Sequence, residues 1–215
     1  MESKTAIIAG ASGLIGRSLT KELLRSENYG QVIALVRKPL GIQHDKLKEQ
    51  IINFDELSSA EFPKGDDVFC CLGTTQKKTP NQEDYRKVDY DYCMNFAKRA
   101  LEEGADRLFL ISSLGAKRGA RNFYLNLKGE LEHDISFLNF RTIYIFRPSL
   151  LRGDRSENRP GEKFAQAFTR IIPFIGPWKK YRPIHADKVV DAMMKVSQQE
   201  DKGCYFYDSL RMQRM

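Results

Sequence analysis

The chain has 215 residues, 41% of them hydrophobic and 29% charged, with a mean hydropathy of −0.49. That balance excludes a membrane-embedded, collagen-like or wholly disordered chain, and the length suffices for one sizeable core. Thirty-five Lys and Arg against 28 Asp and Glu leave +7, which favours anionic partners without choosing among nucleotides, nucleic acid and lipid head groups.

No apolar run approaches the roughly 20 residues of a membrane span. Ala6–Ile8 leads straight into a glycine turn, so no removable leader is expected, and Ile171–Trp178 reads as a packed anchor for an irregular insertion rather than a membrane contact. Cys70, Cys71, Cys93 and Cys204 form no CxxC pair, and His44, His133 and His185 are scattered. The expectation is reduced thiols in a cytoplasmic protein with no metal site.

In chain order, apolar β-branched runs alternate with amphipathic, lysine-rich stretches. Strands are expected at Thr5–Ala9, Gln31–Val36, Gln50–Asn53, Asp67–Leu72, Arg107–Ser112 and Thr142–Phe146. Helices are expected at Leu14–Ser26, Asp84–Glu103 and Phe123–Leu138. Runs such as Leu108-Phe109-Leu110-Ile111 suit strands buried on both faces, and the alternation predicts an α/β fold with a doubly wound parallel sheet. From about Arg152 to Arg182 the alternation stops and Gly and Pro become frequent. One helix (about Lys188–Gln199) and one strand (Cys204–Tyr207) follow. We read a single domain over 1–215, with about 152–187 as a small irregular insertion that covers the substrate.

The first strand runs into Gly10-Ala11-Ser12-Gly13-Leu14-Ile15-Gly16 and opens a helix. The three glycines of this GxxGxxG spacing serve separate purposes, namely a tight turn, backbone approach to a pyrophosphate, and close helix–strand packing. The helix N-terminus then offers free N–H groups and the positive end of its dipole. A plain strand–helix turn would use two of the three glycines. Their place after a strand and before a helix favours a dinucleotide cradle built from Gly10, Ser12, Gly13, Leu14, Ile15 and Gly16.

Strand two closes on Arg37 and Lys38, with Arg37 21 residues after Gly16. An NAD-binding chain usually places an acid there to hold the ribose 2′-hydroxyl. Two cations suit a 2′-phosphate instead and predict NADP(H) over NAD, the other reading being an exposed basic pair at a strand end. Asp55, after strand three, would cap the adenine amino group or serve as a simple turn residue.

Strand five ends in Ser112-Ser113, and eleven residues after Ser113 comes Tyr124-Leu125-Asn126-Leu127-Lys128. Tyr and Lys four apart share a helix face. A phenol titrates near pH 10, too high for acid–base work at neutral pH, and a neighbouring cation together with an oxidised nicotinamide favours the phenolate. A serine hydroxyl from the strand end can orient the substrate oxygen. The same spacing arises by chance in a chain with nine Tyr and many Lys. Its place after a strand-end serine and downstream of the phosphate loop favours the catalytic reading.

With these residues in view, the chain resembles an atypical short-chain dehydrogenase/reductase of the extended, epimerase-like branch. It is similar to the small bacterial relatives of the Tat-interacting oxidoreductase-like proteins. The resemblance is carried by the glycine loop, Cys71-Leu72-Gly73-Thr74-Thr75, Ile111-Ser112-Ser113, Tyr124 with Lys128, Arg147-Pro148-Ser149-Leu150-Leu151-Arg152-Gly153 and His185-Ala186-Asp187-Lys188-Val189. These segments span nearly the whole chain in the family's order.

The resemblance implies a Rossmann fold binding NADP(H). Gly73 and Thr74 would pass near the nicotinamide ribose with Leu72 beside them, and Arg147 and Pro148 would flank the nicotinamide. It implies Ser113 as the catalytic hydroxyl (Ser112 the fallback) and Tyr124 as the acid/base. Lys128 would bind ribose and tune the tyrosine, so both helix residues also belong to the cofactor site. The short serine-to-tyrosine segment and the small C-terminal portion argue against a large nucleotide-sugar substrate.

The expected function is an NADP(H)-dependent oxidoreductase acting on a small carbonyl or alcohol. The alternative is an NADP(H)-sensing regulatory or scaffold protein with little or no turnover; joint retention of Ser113, Tyr124 and Lys128 favours the first. No nucleic-acid reading motif is present, so no nucleic-acid partner is expected. Residues 152–182 hold eight Lys or Arg against three acids, a net +5, which points to an acidic substrate or a solvated basic face. The oligomeric expectation is a monomer or a homodimer, the latter joined through the helix at Asp84–Glu103.

Overall fold

Alternating side chains decide which face each strand serves. Along β1 (Lys4–Ala9), Ala6 and Ile8 pack to one side and Ile7 and Ala9 to the other, all fully buried. The same division recurs in β4 (Asp67–Cys70), β5 (Arg107–Ile111) and β6 (Thr142–Arg147), so the sheet needs a helical layer on each side.

The computed structural model describes residues 3–152 and 181–215. Its main sheet has the order β3 (Leu47–Ile51), β2 (Tyr29–Val36), β1, β4, β5, β6, β9 (Gly203–Asp208), and every pairing is parallel. α1 (Leu14–Arg25) and α5 (Ala186–Ser197) cover one face, over a row of rings in which Phe69–Phe109 and Phe109–Tyr144 lie 4.5 and 4.9 Å apart. α3 (Tyr92–Glu102) and α4 (Phe123–Ser136) cover the other face. The chain leaves β1 in one direction and resumes at β4 in the other, and ligands of doubly wound sheets bind at the carboxyl ends of such a switch point.

Most expected elements are present, with differences that have local causes. β3 starts earlier than expected and also ends earlier, the end being set where Asn53 caps a 3-10 turn at Phe54–Glu56 by accepting from the Asp55 N–H. The expected helix at Asp84–Glu103 is three pieces: α2 (Gln82–Arg86), a π-helical turn at Lys87–Asp91, and α3. That turn carries Asp89 into the interior, where it is 1% exposed. After β9 a short helix that was not expected, α6 (Ser209–Gln213), is capped by Asp208 accepting from the Arg211 N–H. The insertion at about 152–187, expected to cover the substrate, lies largely outside the described residues. At its ends β7 (Leu151–Arg152) and β8 (Ile184–His185) pair in parallel.

Candidate active site

The loop after β1 closes by a 3.0 Å bond from the Gly13 N–H to the Gly10 carbonyl. Gly10 has a φ of +85°, and a Cβ there would lie 2.4 Å from the Cys71 carbonyl oxygen. A Cβ on Gly16 would lie 2.1 Å from the Gly10 oxygen. Both positions therefore exclude side chains, and the backbone between them bends back tightly. α1 follows its N-cap Gly13 with no side-chain cap and no acid in its first turn, so among the described residues no side chain caps its leading N–H groups. Such a donor set fits a dinucleotide diphosphate.

Over the carboxyl ends of the strands lies a cleft of about 1380 Å³. Ser12, Gly13, Leu14 and Ile15 line one side, with Leu72, Gly73 and Thr74 beyond β4. Ser112 and Ser113 beyond β5, Tyr124 and Lys128 from α4, and Pro148 beyond β6 complete it. The strand ends keep pairing past the sheet, through Ser112 N–H to Phe146 carbonyl (2.7 Å) and Leu114 N–H to Pro148 carbonyl (2.9 Å). The cradle, the serines and the Tyr–Lys pair thus meet in one space.

The charged floor of this cleft was not foreseen in full. Lys128 is buried and its Nζ lies 2.9 Å from Oδ1 of Asp89, whose Oδ2 accepts the Thr74 N–H at 2.7 Å. Burial works against the ammonium, but Asp89, Cys93 and Tyr124 together outweigh it and hold the Lys128 pKa above its ordinary value. Tyr85 packs edge-on against Tyr124 at 6.2 Å and donates to the Thr74 carbonyl. The π turn that aims Asp89 inward is a feature often found at functional sites. Cys71 also lines the cleft, but burial, with Cys93 adding to it, pushes its thiol up to about 12, so it stays neutral.

The two serines differ. Ser112 is buried, and its hydroxyl donates to Glu132 of α4. Ser113 is half-buried, and among the described residues its hydroxyl has only a long 3.5 Å contact to the neighbouring Leu114 carbonyl.

Other expected site residues lie elsewhere. Arg147 does not line the cleft: its guanidinium grips Glu132, with Nε 3.0 Å from Oε1, and lies over the Phe206 ring at 4.4 Å. Asp55 is engaged by Lys87 at 2.7 Å and by the Tyr92 hydroxyl, and these two hydrogen bonds lower its pKa. Arg37 and Lys38 stand exposed beyond β2 and form no ion pair among the described residues. Arg17, Lys21 and Lys77 also line the cleft, were not foreseen, and are without an ion pair among the described residues. The same residues contain no cluster able to hold a metal ion and no helix long and apolar enough to cross a membrane.

A family pattern described as NAD(P)H-binding matches residues 10–135. The chain belongs to this NAD(P)H-binding family. Protein HTATIP2 of Rattus norvegicus is 34% identical over 199 residues, covering 90% of this chain and 81% of that protein. Protein FMP52, mitochondrial, of Candida glabrata is 35% identical over 164 residues, or 75% of this chain and 70% of that one. Among solved structures, MoeE5 in complex with UDP-glucuronic acid and NAD superposes with a TM-score of 0.70 at 19% identity, covering 94% of this chain and 75% of its own. The dTDP-4-dehydrorhamnose reductase of Bacillus anthracis in complex with NADP gives 0.67 at 19%, covering 97% and 75%.

The family membership bears out the resemblance, and the structural neighbours share the Rossmann fold. The cytoplasmic expectation is corrected: the FMP52 relatives are named mitochondrial. Unpaired cysteines had suggested the cytoplasm, but free thiols report a reducing environment rather than a compartment.

Proposed function

We propose that the chain is an NADP(H)-dependent oxidoreductase acting on a small carbonyl or alcohol. The observation that carries this reading is that Tyr124, Lys128 and Ser113 line the same cleft as the glycine cradle. Bound NADPH would supply the hydride. Tyr124 donates a proton to the carbonyl oxygen as charge develops there, and Ser113, whose hydroxyl is engaged by no acid among the described residues, orients that oxygen. Lys128, held charged by Asp89, favours the phenolate left on Tyr124 and offers its ammonium to the ribose hydroxyls.

Arg37 and Lys38 at the end of β2 support NADP(H) over NAD, since neither is taken up by an acid among the described residues. Arg17, Lys21 and Lys77 on the cleft wall support a substrate that carries an anionic group. The insertion over 152–187 would cover that substrate.

The test is Tyr124→Phe assayed by loss of nicotinamide absorbance over a carbonyl panel. The expected result is turnover lost with NADPH affinity kept within about twofold. Full activity in the variant would defeat the assignment. One observation favours the second reading, an NADP(H) sensor with little or no turnover: Asp89 offsets much of the Lys128 charge that would activate Tyr124. Under that reading the wild type binds NADPH and consumes none on any carbonyl.

A further inference from the structure

We propose that Glu132 is the positioning residue of this cleft, a clasp that sets α4, and so Tyr124 and Lys128, against the ends of β5 and β6. The inference rests on the oxidoreductase reading and goes beyond it by naming what aligns its parts. Glu132 is 4% exposed, and its carboxylate takes donors from two other elements. The Ser112 hydroxyl at the end of β5 donates to Oε1. Arg147 at the end of β6 donates from Nε to Oε1 and Oε2 at 3.0 and 3.2 Å, and from a terminal nitrogen to Oε2 at 2.5 Å.

Each anchored residue adjoins one that lines the cleft. Ser112 precedes Ser113 and Arg147 precedes Pro148, while Glu132 lies one helical turn after Lys128 and two after Tyr124. The strand ends are already tied to each other through the backbone. Among the described residues, α4 has no such backbone tie to either strand end. Its other polar contacts run to the segment from α2 to α3, through Lys128–Asp89 and Glu130–Arg86, and to the loop before it, where the Lys117 N–H donates to the Leu125 carbonyl at 3.0 Å and a Cβ on Gly129 would be 2.2 Å from the Lys117 carbonyl carbon. Side chains must therefore fix the helix against the strands, and Glu132 holds both strands at once. A bidentate Arg–carboxylate pair carries orientation as well as attraction, which an uncharged contact would not supply. Glu132 does not line the cleft, so its effect on a reaction passes through its neighbours.

The test compares wild type with Glu132→Gln and Glu132→Asp by steady-state kinetics and by crystal structures with NADP+ bound. The amide of Glu132→Gln keeps shape but loses the charge-assisted grip. The expected result is a kcat lower by about 10–100-fold with the KM for NADPH little changed, because a misplacement on the order of 1 Å suffices for such a loss. Glu132→Asp, which keeps the charge on a shorter arm, should recover part of that rate. In the Glu132→Gln crystals Tyr124 and Lys128 should shift relative to Ser113.

Should Glu132→Gln fold poorly, Ser112→Ala and Arg147→Met cut the two arms singly, and each should lower kcat while sparing the KM for NADPH. An unchanged kcat in these variants, an equal loss in kcat and NADPH affinity, or crystals with Tyr124, Lys128 and Ser113 unmoved would overturn the proposal. An active Tyr124→Phe would instead overturn the oxidoreductase reading, and the crystal comparison would still decide the clasp.

Discussion

The two ends of the parallel sheet bury charge in opposite ways. At the amino ends, Arg107 is 2% exposed and grips Asp67 with both Nε and a terminal nitrogen. It also donates to the Ser197 and Gln199 carbonyls, and Tyr29 donates to the same acid at 2.6 Å. Burial and the Asp67 charge together hold the Tyr29 phenol protonated, so this end is saturated by its own chain.

At the carboxyl ends, Asp89–Lys128 and Glu132–Arg147 are also buried or half-buried pairs, but they stand near polar groups that no acid among the described residues satisfies. Those groups are the N–H donors at the start of α1 and the Ser113 hydroxyl. The lesson is that a buried ion pair is no sign of a site. Unclaimed donors beside one are.

The sharpest break of this contrast falls at the saturated end. Arg107→Met leaves the Asp67 carboxylate buried without its cation, and stability should fall by about 3–5 kcal/mol. NADPH affinity of the folded protein should be unchanged, as denaturant unfolding and a cofactor titration would establish. A loss of affinity at intact stability would mean that the two ends are not separate.

At the open end, Gly10→Ala forces a side chain into a φ of +85° and against the Cys71 carbonyl. Strain of about 1–3 kcal/mol should distort the cradle and weaken NADPH by up to about a hundredfold in a calorimetric titration. Arg37→Ala sharpens the cofactor assignment. A charged hydrogen bond is worth about 1.5–3 kcal/mol, so NADPH should weaken at least tenfold while NADH stays put. Equal effects on both would remove the 2′-phosphate argument.

The smallest effect concerns Glu130, which joins α4 to α2 through Arg86 at 2.7 Å. The Arg86 hydrogen bond lowers the Glu130 pKa below its ordinary 4.5. A depressed carboxylate stabilises the fold above its unfolded value and loses that contribution as pH falls through the lowered one. At this partly exposed pair the contribution is well under about 1 kcal/mol. Urea midpoints of wild type and Glu130→Gln should differ slightly at neutral pH and converge in acid.

Much of the fold was legible because its strands are continuous apolar runs and its first turn is punctuated by glycine. The tight loop after β1 could be read from its glycines, since a side chain at Gly10 or Gly16 would strike backbone. Asp89 could not, because it sits in a helical pattern where an acid reads as solvated; only the π turn, invisible to periodicity, aims it inward. Glu132 escaped for a related reason, four residues past Lys128 in what looks like a surface i,i+4 series. Arg147 was expected at the nicotinamide because the family resemblance implies it there, after strand six. Sequence gives the edge, but not whether the side chain turns toward the cleft or back toward α4 and β9. Asp55 has the chemistry for adenine, yet Lys87 and Tyr92, more than thirty residues away, already hold it.

The most direct measurement of the central claim uses NADPH carrying deuterium at both positions of nicotinamide C4 with a carbonyl that the wild type reduces, the alcohol being analysed by mass spectrometry. Deuterium should appear on the carbinol carbon with the wild type, and no labelled alcohol should form with Tyr124→Phe. An alcohol without label, or labelled NADPH recovered whole from every carbonyl offered, would contradict hydride transfer in this cleft.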